Sequence, residues 1–474
     1  MGDEMKHEVV KVIERCEVAP PPSSVPATTL PLTFFDMPWL LCHPVKRIFF
    51  YDYPFSTHHF LQTALPILKH SLSLTLQHFF PFAANLIVPP KPHLAYIRYL
   101  DGDSLCFTVA ESTQDFTLLV SDPPQDVRNW HPLVPTLPPT RTEEDTTRVV
   151  PLMAIQVTIL PNSGFSICVT FNHIAADGKS LHHFIKFWAS VCKVRGDWAS
   201  IEHSLSLPFH DRDRVKDPKG LKLLYLQELE HPETIEMEFA GLLREVYTNK
   251  VRFTLVFTRQ QIEKLKKWFS FKCANHGSGS LHISTFVVTC SLIWVSMIKS
   301  DLNRDNCVGT ESDGVCYLVI LADCRDRPEF SIPSTYFGNC LVSCILKMKR
   351  SEVVGENGII MVANAIGKEV QDFKSDALKK AETLLSDSRE LQNPTHSTVV
   401  VAGSPKLGVY ETDFGWGKPK KSEAVHIDSS GSISLSDCRD KQGGIEIGLA
   451  LERIRMNNFT NILEDQLNNI VVSE

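Results

Sequence analysis

Residues 165–172 alternate apolar Phe165, Ile167, Val169 and Phe171 with Ser166, Cys168, Thr170 and Asn172, a two-residue period that reads as an extended strand. The strand delivers His173 at its end, and Gly178, after Ile174, Ala175, Ala176 and Asp177, supplies the backbone freedom for a sharp turn. Beyond the turn, Leu181, Phe184, Ile185, Trp188 and Val191 recur at helical spacing, so a helix packed by one face follows, with Ser180 as its candidate N-cap. The ends of strands are where sites are built, and here the residue at that end is an imidazole.

An imidazole in a cleft can take a proton from an alcohol near neutral pH, which is general-base chemistry. Of the 18 histidines, only His173 has an aspartate four positions on. That spacing alone is a weak signal, because a histidine at a turn is more often an ordinary surface or core residue. A Ser-His-Asp role for Asp177 competes with a structural one, in which the carboxylate holds the turn by pairing with an arginine.

Three further stretches give the pattern weight. Asp413-Phe414-Gly415-Trp416-Gly417 reads as a turn with close backbone approach, in which Gly415 and Gly417 are structural and Trp416 packs. Tyr336-Phe337-Gly338-Asn339-Cys340 lies upstream of it, and Leu30-Pro31-Leu32-Thr33-Phe34-Phe35-Asp36 lies near the start. With these motifs in this order, the chain resembles the plant BAHD acyltransferases, and within them the clade that acylates sugars of anthocyanins and other flavonoid or phenolic glucosides. It departs from common family usage at Asp326 and Ala84, neither of which touches the proposed base.

The resemblance implies an α/β fold of two chloramphenicol acetyltransferase-like domains with an active-site channel at their interface and His173 beside it. The charged stretch His210–Gly220 looks like a solvated crossover between them, so the expected domains are 1–215, carrying His173 and Asp177, and 216–474, carrying the Tyr336 and Asp413 motifs. The resemblance also implies direct transfer from an acyl-CoA in a ternary complex, with no permanently bound cofactor; the absence of a C-x-x-C pair and of histidines at zinc spacing suggests no structural metal.

His173, Asp177 and Asp413 form the candidate catalytic set, with Asp177 expected to pair with Arg325 and Asp413 favoured as scaffold. For coenzyme A the candidates are Ser284 and Thr285 at a helix start, where free N–H groups can hold phosphate, then Lys264 on the preceding helix, and Trp416. The expected partners are an acyl-CoA donor and a glycoside acceptor. The donor is malonyl-CoA or a hydroxycinnamoyl-CoA; malonyl-CoA is preferred, and Lys179 is a candidate partner for its carboxylate. Acylation of another alcohol or an amine, and a catalytically silent binding homologue, are the alternatives; the intact His173 argues against silence.

Bulk properties narrow the field. The chain has 474 residues, 43% hydrophobic and 22% charged, which suits an ordinary globular protein with two cores. A net charge of −7 argues against broad nucleic-acid or anionic-membrane binding. Its 13 cysteines form no C-x-x-C pair, and Cys340 among apolar neighbours reads as buried and inert. Asp3, Glu4, Glu8 and Glu14 are wrong for a signal peptide, and no apolar run reaches membrane-span length, so a cytoplasmic monomer is expected. A P-loop reading of Asp177-Gly178-Lys179-Ser180 fails because His173 stands where a glycine is needed, and no G-x-S-x-G elbow is present.

Other elements are legible. Strands are expected over 9–18, 47–53, 95–100, 153–160 and 251–257, and helices over 59–80, despite Pro66, and 259–269. Ser284-Thr285 opens the apolar run 286–298, and the Pro- and Thr-rich stretch 132–145 reads as a loop.

Overall fold

In the computed structural model, residues 9–91, 93–230, 249–275, 283–302, 314–391, 393, 396–439 and 443–472 are described. The expected strand before His173 runs Gly164–Phe171 and pairs antiparallel with Met153–Leu160 on one side and Val45–Asp52 on the other. It is a central strand of a six-stranded sheet ordered Val10–Val18, Leu105–Ser112, Met153–Leu160, Gly164–Phe171, Val45–Asp52, Lys421–Ala424. Every residue of Gly164–Phe171 is buried, the polar positions included. The alternation therefore does not mark a wet face. Thr170 Oγ1 donates to Pro135 O at 2.7 Å and Gln156 Nε2 to Pro132 O at 3.1 Å, so the Pro-rich stretch lies across the sheet and accepts from these two polar side chains, while Ser166 Oγ is buried without a partner among the described residues.

The opposite face carries the helices Thr57–Leu76 and Gly178–Lys193, which pack on each other. Gly178–Lys193 buries Leu181, Phe184, Ile185, Trp188 and Val191, worth roughly 10 kcal/mol of apolar transfer before conformational entropy is counted. Packing of that size outweighs any single cap and holds the helix against the sheet. Pro66 is exposed, where its missing N–H costs least. The Thr57–Leu76 helix stops four residues short of the expected end: Phe79, at φ −107° and ψ 37°, leaves helical backbone, and a separate 3-10 turn, Phe80–Phe82, follows.

A seven-stranded sheet orders Leu341–Lys349, Val315–Asp323, Ser397–Gly403, Ile433–Asp437, Ile445–Glu452, Lys250–Phe257 and Gln125–Asp126. The helices Thr285–Leu302, Gly358–Ser375 and Arg453–Val472 build a second core with it. A third sheet of five strands joins Thr28–Pro31, Tyr96–Tyr99, Asn85–Val88, Arg148–Pro151 and Arg141–Thr142. The helix expected to end at Phe269 continues, as Arg259–Asn275. Among the described residues, no helix is long and apolar enough to cross a membrane.

The two layered cores interlock. Lys421–Ala424 adds to the first sheet beside Val45–Asp52, while Gln125–Asp126 adds to the second beside Lys250–Phe257. Most of the charged crossover from His210 to Gly220 is exposed, as expected of a solvated stretch, but its start is anchored. Phe337 N donates to Phe209 O and Phe209 N to Thr335 O, both at 2.9 Å, and Arg212 is only 5% exposed. The reason is electrostatic: the buried Asp36 carboxylate needs a cation, and Arg212 Nη1 donates to its Oδ2 at 2.9 Å.

Candidate active site

Past Phe171 the chain turns at once. Asn172 N donates to Leu152 O at 2.8 Å, and Asn172 O then accepts from Ala175 N at 3.0 Å, closing a turn that projects His173 off the strand. His173 is 8% exposed and stacks on Trp39 with ring centroids 3.7 Å apart and planes at 8°. Its Nδ1 lies 3.1 Å from Asn339 Oδ1.

The partners of Asn339 decide the tautomer. Asn339 Nδ2 donates to Asp36 Oδ1 at 3.0 Å, His173 O at 2.9 Å and Ile174 O at 3.3 Å, so the amide oxygen is the atom facing the imidazole. An amide oxygen only accepts; Nδ1 therefore carries the proton and Nε2 holds the lone pair. Among the described residues Nε2 makes no hydrogen bond. This is the atom a general base needs free.

Burial lowers the His173 pKa from its ordinary value, against the opposing pull of Asp177, Asn339 and Asp36. The base is then neutral at physiological pH. The acid limb of kcat/KM against pH is expected to inflect below the usual histidine value, with the rate rising as pH rises through it and flat above. An inflection above the usual histidine value would contradict this environment for the base.

Asp36 joins the early motif to the site. Its Oδ2 accepts from Thr33 N and Thr33 Oγ1, both at 2.7 Å, and from Arg212, while its Oδ1 accepts from Asn339. Arg212 also donates to Tyr336 Oη at 3.0 Å. Gly338 sits at φ +144°, and a Cβ there would lie 2.6 Å from Arg212 Nη1, so glycine is required by both backbone and space. Sequence reasoning identified these stretches as motifs without finding that Asn339 orients the base; the one signal was a polar residue inside an otherwise apolar motif. Asn339→Leu should lower kcat about 10- to 100-fold with a much smaller change in KM, because tautomer and ring orientation are lost while binding surfaces persist. Steady-state kinetics on the folded variant decide it; an unchanged kcat would remove Asn339 from this role.

Asp177 faces away from the imidazole nitrogens. Its Oδ2 accepts from Arg325 Nη1 at 2.7 Å and from Cys340 N at 3.1 Å, and its Oδ1 accepts from Ser180 N at 3.0 Å. Asp177 is thus the N-cap of the following helix, a correction to the assignment of Ser180: a carboxylate placed before the first turn reaches the N3 amide, whereas Ser180 is itself N3. The Ser180 hydroxyl accepts from Arg325 Nη2 at 3.0 Å. Arg325 also donates to Tyr336 O and Gly338 O, and Asp177 and Arg325 side chains are both fully buried. The expected pair therefore ties the His173 turn to the Tyr336–Cys340 segment. Burial pushes the Cys340 thiol well above its ordinary pKa, which makes it a packing residue.

Asp413 spends both oxygens on its own turn and its neighbour. Oδ1 accepts from Gly415 N at 2.8 Å and Gly417 N at 2.9 Å; Oδ2 accepts from Lys193 Nζ at 2.7 Å at the end of the Gly178–Lys193 helix. Gly415 and Gly417 have φ +105° and +94°, backbone that other residues adopt only with strain. Trp416 packs edge-on against Phe165 and Tyr53, with centroids 5.6 and 6.2 Å apart. Phe414 packs on Trp188 at 4.8 Å. The motif clamps the helix that starts at the base. Asp413→Ala should lower the melting temperature more clearly than acceptor turnover by the surviving folded fraction; the reverse pattern would restore a catalytic reading.

Ser284, Thr285 and Lys264 lie on two helices of the second core. Ser284 Oγ accepts from Val287 N at 3.2 Å, capping Thr285–Leu302. Lys264 is exposed on Arg259–Asn275 and lines a surface cleft with Arg259, Gln260, Glu263 and Lys267. None of the three shares a hydrogen bond with the His173 network. Lys179 donates to Asp323 Oδ2 at 2.9 Å, so its charge is already engaged.

Three comparisons bear on this arrangement. The chain matches the Transferase family over residues 9–466. It is 41% identical over 467 residues, covering 96% of this chain and 97% of the other, to coumaroyl-CoA:anthocyanidin 3-O-glucoside-6''-O-coumaroyltransferase 1 of Arabidopsis thaliana. It is 37% identical over 469 residues, covering 98% of each, to malonyl-coenzyme A:anthocyanin 3-O-glucoside-6''-O-malonyltransferase of Dahlia pinnata. The crystal structure of vinorine synthase superposes with a TM-score of 0.66 at 18% identity, covering 95% of this chain and 96% of that one, and so shares the fold. On the match across nearly its whole length, the chain belongs to the Transferase family, the BAHD acyltransferases.

Proposed function

We propose that the protein transfers an acyl group from an acyl-CoA thioester to a sugar hydroxyl of an anthocyanin, flavonoid or other phenolic glucoside. The observation that carries this reading is the His173 imidazole, with Nδ1–H bound to Asn339 and Nε2 free. Nε2 accepts the hydroxyl proton as the sugar oxygen attacks the thioester carbonyl carbon. The tetrahedral adduct then collapses: the C–S bond breaks, the ester forms, and the leaving thiolate of coenzyme A recovers the proton from the imidazolium. No side chain forms a covalent intermediate in this scheme.

The choice of acceptor rests on the relatives, which are named for anthocyanidin and anthocyanin glucosides. They divide on the donor, one being named for coumaroyl-CoA and the other for malonyl-CoA. For coenzyme A, we assign the Ser284–Thr285 helix start and Lys264 to the phosphate end, and we retain a division of the chain near residue 215 and a monomer working in the cytosol. Incubating the purified protein with a flavonol or anthocyanin glucoside and each donor, then weighing the products, tests the activity. A mass gain of one acyl group with loss of the thioester is expected; no ester with either donor would end the proposal.

A further inference from the structure

The early motif runs past Asp36 into a 3-10 turn, Met37–Leu41, that Asp36 opens. Trp39 N donates to Asp36 O at 3.0 Å, and the turn lays the Trp39 indole flat on the His173 ring, with centroids 3.7 Å apart and planes at 8°. Phe171, on the strand before the base, is tilted by 35° with its centroid 6.0 Å away. A buried tryptophan ordinarily sets its N–H on an acceptor. Trp39 Nε1 is buried without a partner among the described residues, while the ring packs partly buried against the first core. A hydrogen bond therefore does not account for the place of this indole, and its closest ring contact is the imidazole.

General-base catalysis turns that imidazole into a cation, which needs stabilising. In a Ser-His-Asp arrangement a carboxylate does this. Here, among the described residues, neither nearby carboxylate hydrogen-bonds to the ring. Asp177 accepts from Arg325, Cys340 N and Ser180 N, and Asp36 accepts from Thr33, Arg212 and Asn339. Each is also paired with a buried arginine. Nδ1 faces a neutral amide oxygen, and burial holds His426, which lies within electrostatic range of the ring, down at about 4 and so neutral. The surface in direct contact with the ring that becomes positive is the π face of Trp39. Indole is the best of the aromatic faces for a cation, and it is worth most where water is excluded.

We propose that Trp39 is a positioning residue for the base: its indole face holds the imidazole in one plane and stabilises the imidazolium formed as the acceptor hydroxyl gives up its proton. This rests on the acyltransferase reading and deepens it by giving the charge developed on His173 a partner. One short segment, residues 33–41, then governs the edge of the imidazole through Asp36 and Asn339, and its face through Trp39. Without the indole the charged form loses support, His173 becomes a weaker base, and proton transfer slows.

Trp39→Leu should lower kcat about 10-fold, the scale of a cation–π contact shielded from water, with a smaller change in KM. The acid limb of kcat/KM should move to lower pH. Trp39→Phe keeps a ring face and should recover part of the rate and part of the displacement. Fluorinated tryptophans incorporated throughout the chain keep the shape of the indole while weakening its face, so they test the wild-type fold directly. With malonyl-CoA and coumaroyl-CoA as donors to one flavonol glucoside, kcat of the wild type should fall stepwise from mono- to di- to trifluorotryptophan. Trp39→Phe, which keeps the other tryptophans, should not respond. A folded Trp39→Leu protein with wild-type kcat and acid limb, a wild type indifferent to fluorination, or a response that Trp39→Phe shares overturns the role of Trp39 while leaving acyl transfer intact. A wild type that transfers neither group overturns the acyltransferase reading itself, and this role with it.

Discussion

Replacing His173 by alanine is expected to lower kcat by about 10³- to 10⁴-fold, the upper range for loss of a positioned general base. The loss should fall on kcat more than on KM, because the proton is taken in the transition state while the binding surfaces remain. Stability should suffer much less. The variant leaves Asn339 Oδ1 without its donor and removes a stacked partner from Trp39, which together cost about 1–3 kcal/mol. Steady-state kinetics at saturating donor, alongside a thermal melt, separate the two effects. A folded His173→Ala protein that keeps a tenth or more of the wild-type rate would refute the base assignment.

Arg325→Leu should produce the largest loss of stability, about 3–5 kcal/mol, as expected when one partner of a buried pair is removed. The fully buried Asp177 carboxylate would lose its cation, and Ser180 Oγ, Tyr336 O and Gly338 O would lose their donors at once. Asp177→Asn should destabilise in the same direction by less, because Arg325 keeps its contact with Asp323 at 2.9 Å. The double variant should be less damaged than the sum of the two, since both act on one interaction. Denaturant unfolding and soluble yield report these differences. Normal stability with a purely kinetic defect in Asp177→Asn would revive the triad reading that the geometry disfavours.

Local pattern foretold local structure well. The alternation over 165–171 and the helical spacing from Leu181 to Val191 became the strand Gly164–Phe171 and the helix Gly178–Lys193, with His173 and Asp177 in the turn between. The Asp177–Arg325 pair was expected from the motifs and is present. Pattern was less informative about which faces meet solvent. Ser166 and Thr170 occupy the polar positions of the alternation but are buried, and Thr170 is covered by a distant Pro-rich stretch through Pro135. The charged run at 210–220 looked solvated, yet Arg212 is drawn inward by Asp36, 176 residues away. The N-cap fell to Asp177 because a longer carboxylate one turn earlier reaches the amide that Ser180 itself carries.

By itself the sequence determined the secondary elements around His173 and the membership of a known family, and it singled out His173 as the candidate base, because periodicity and motif order are written in residues close together along the chain. Tertiary structure alone decided which imidazole nitrogen is free, since that depends on Asn339, 166 residues from His173 and brought there by the docking of one core against the other.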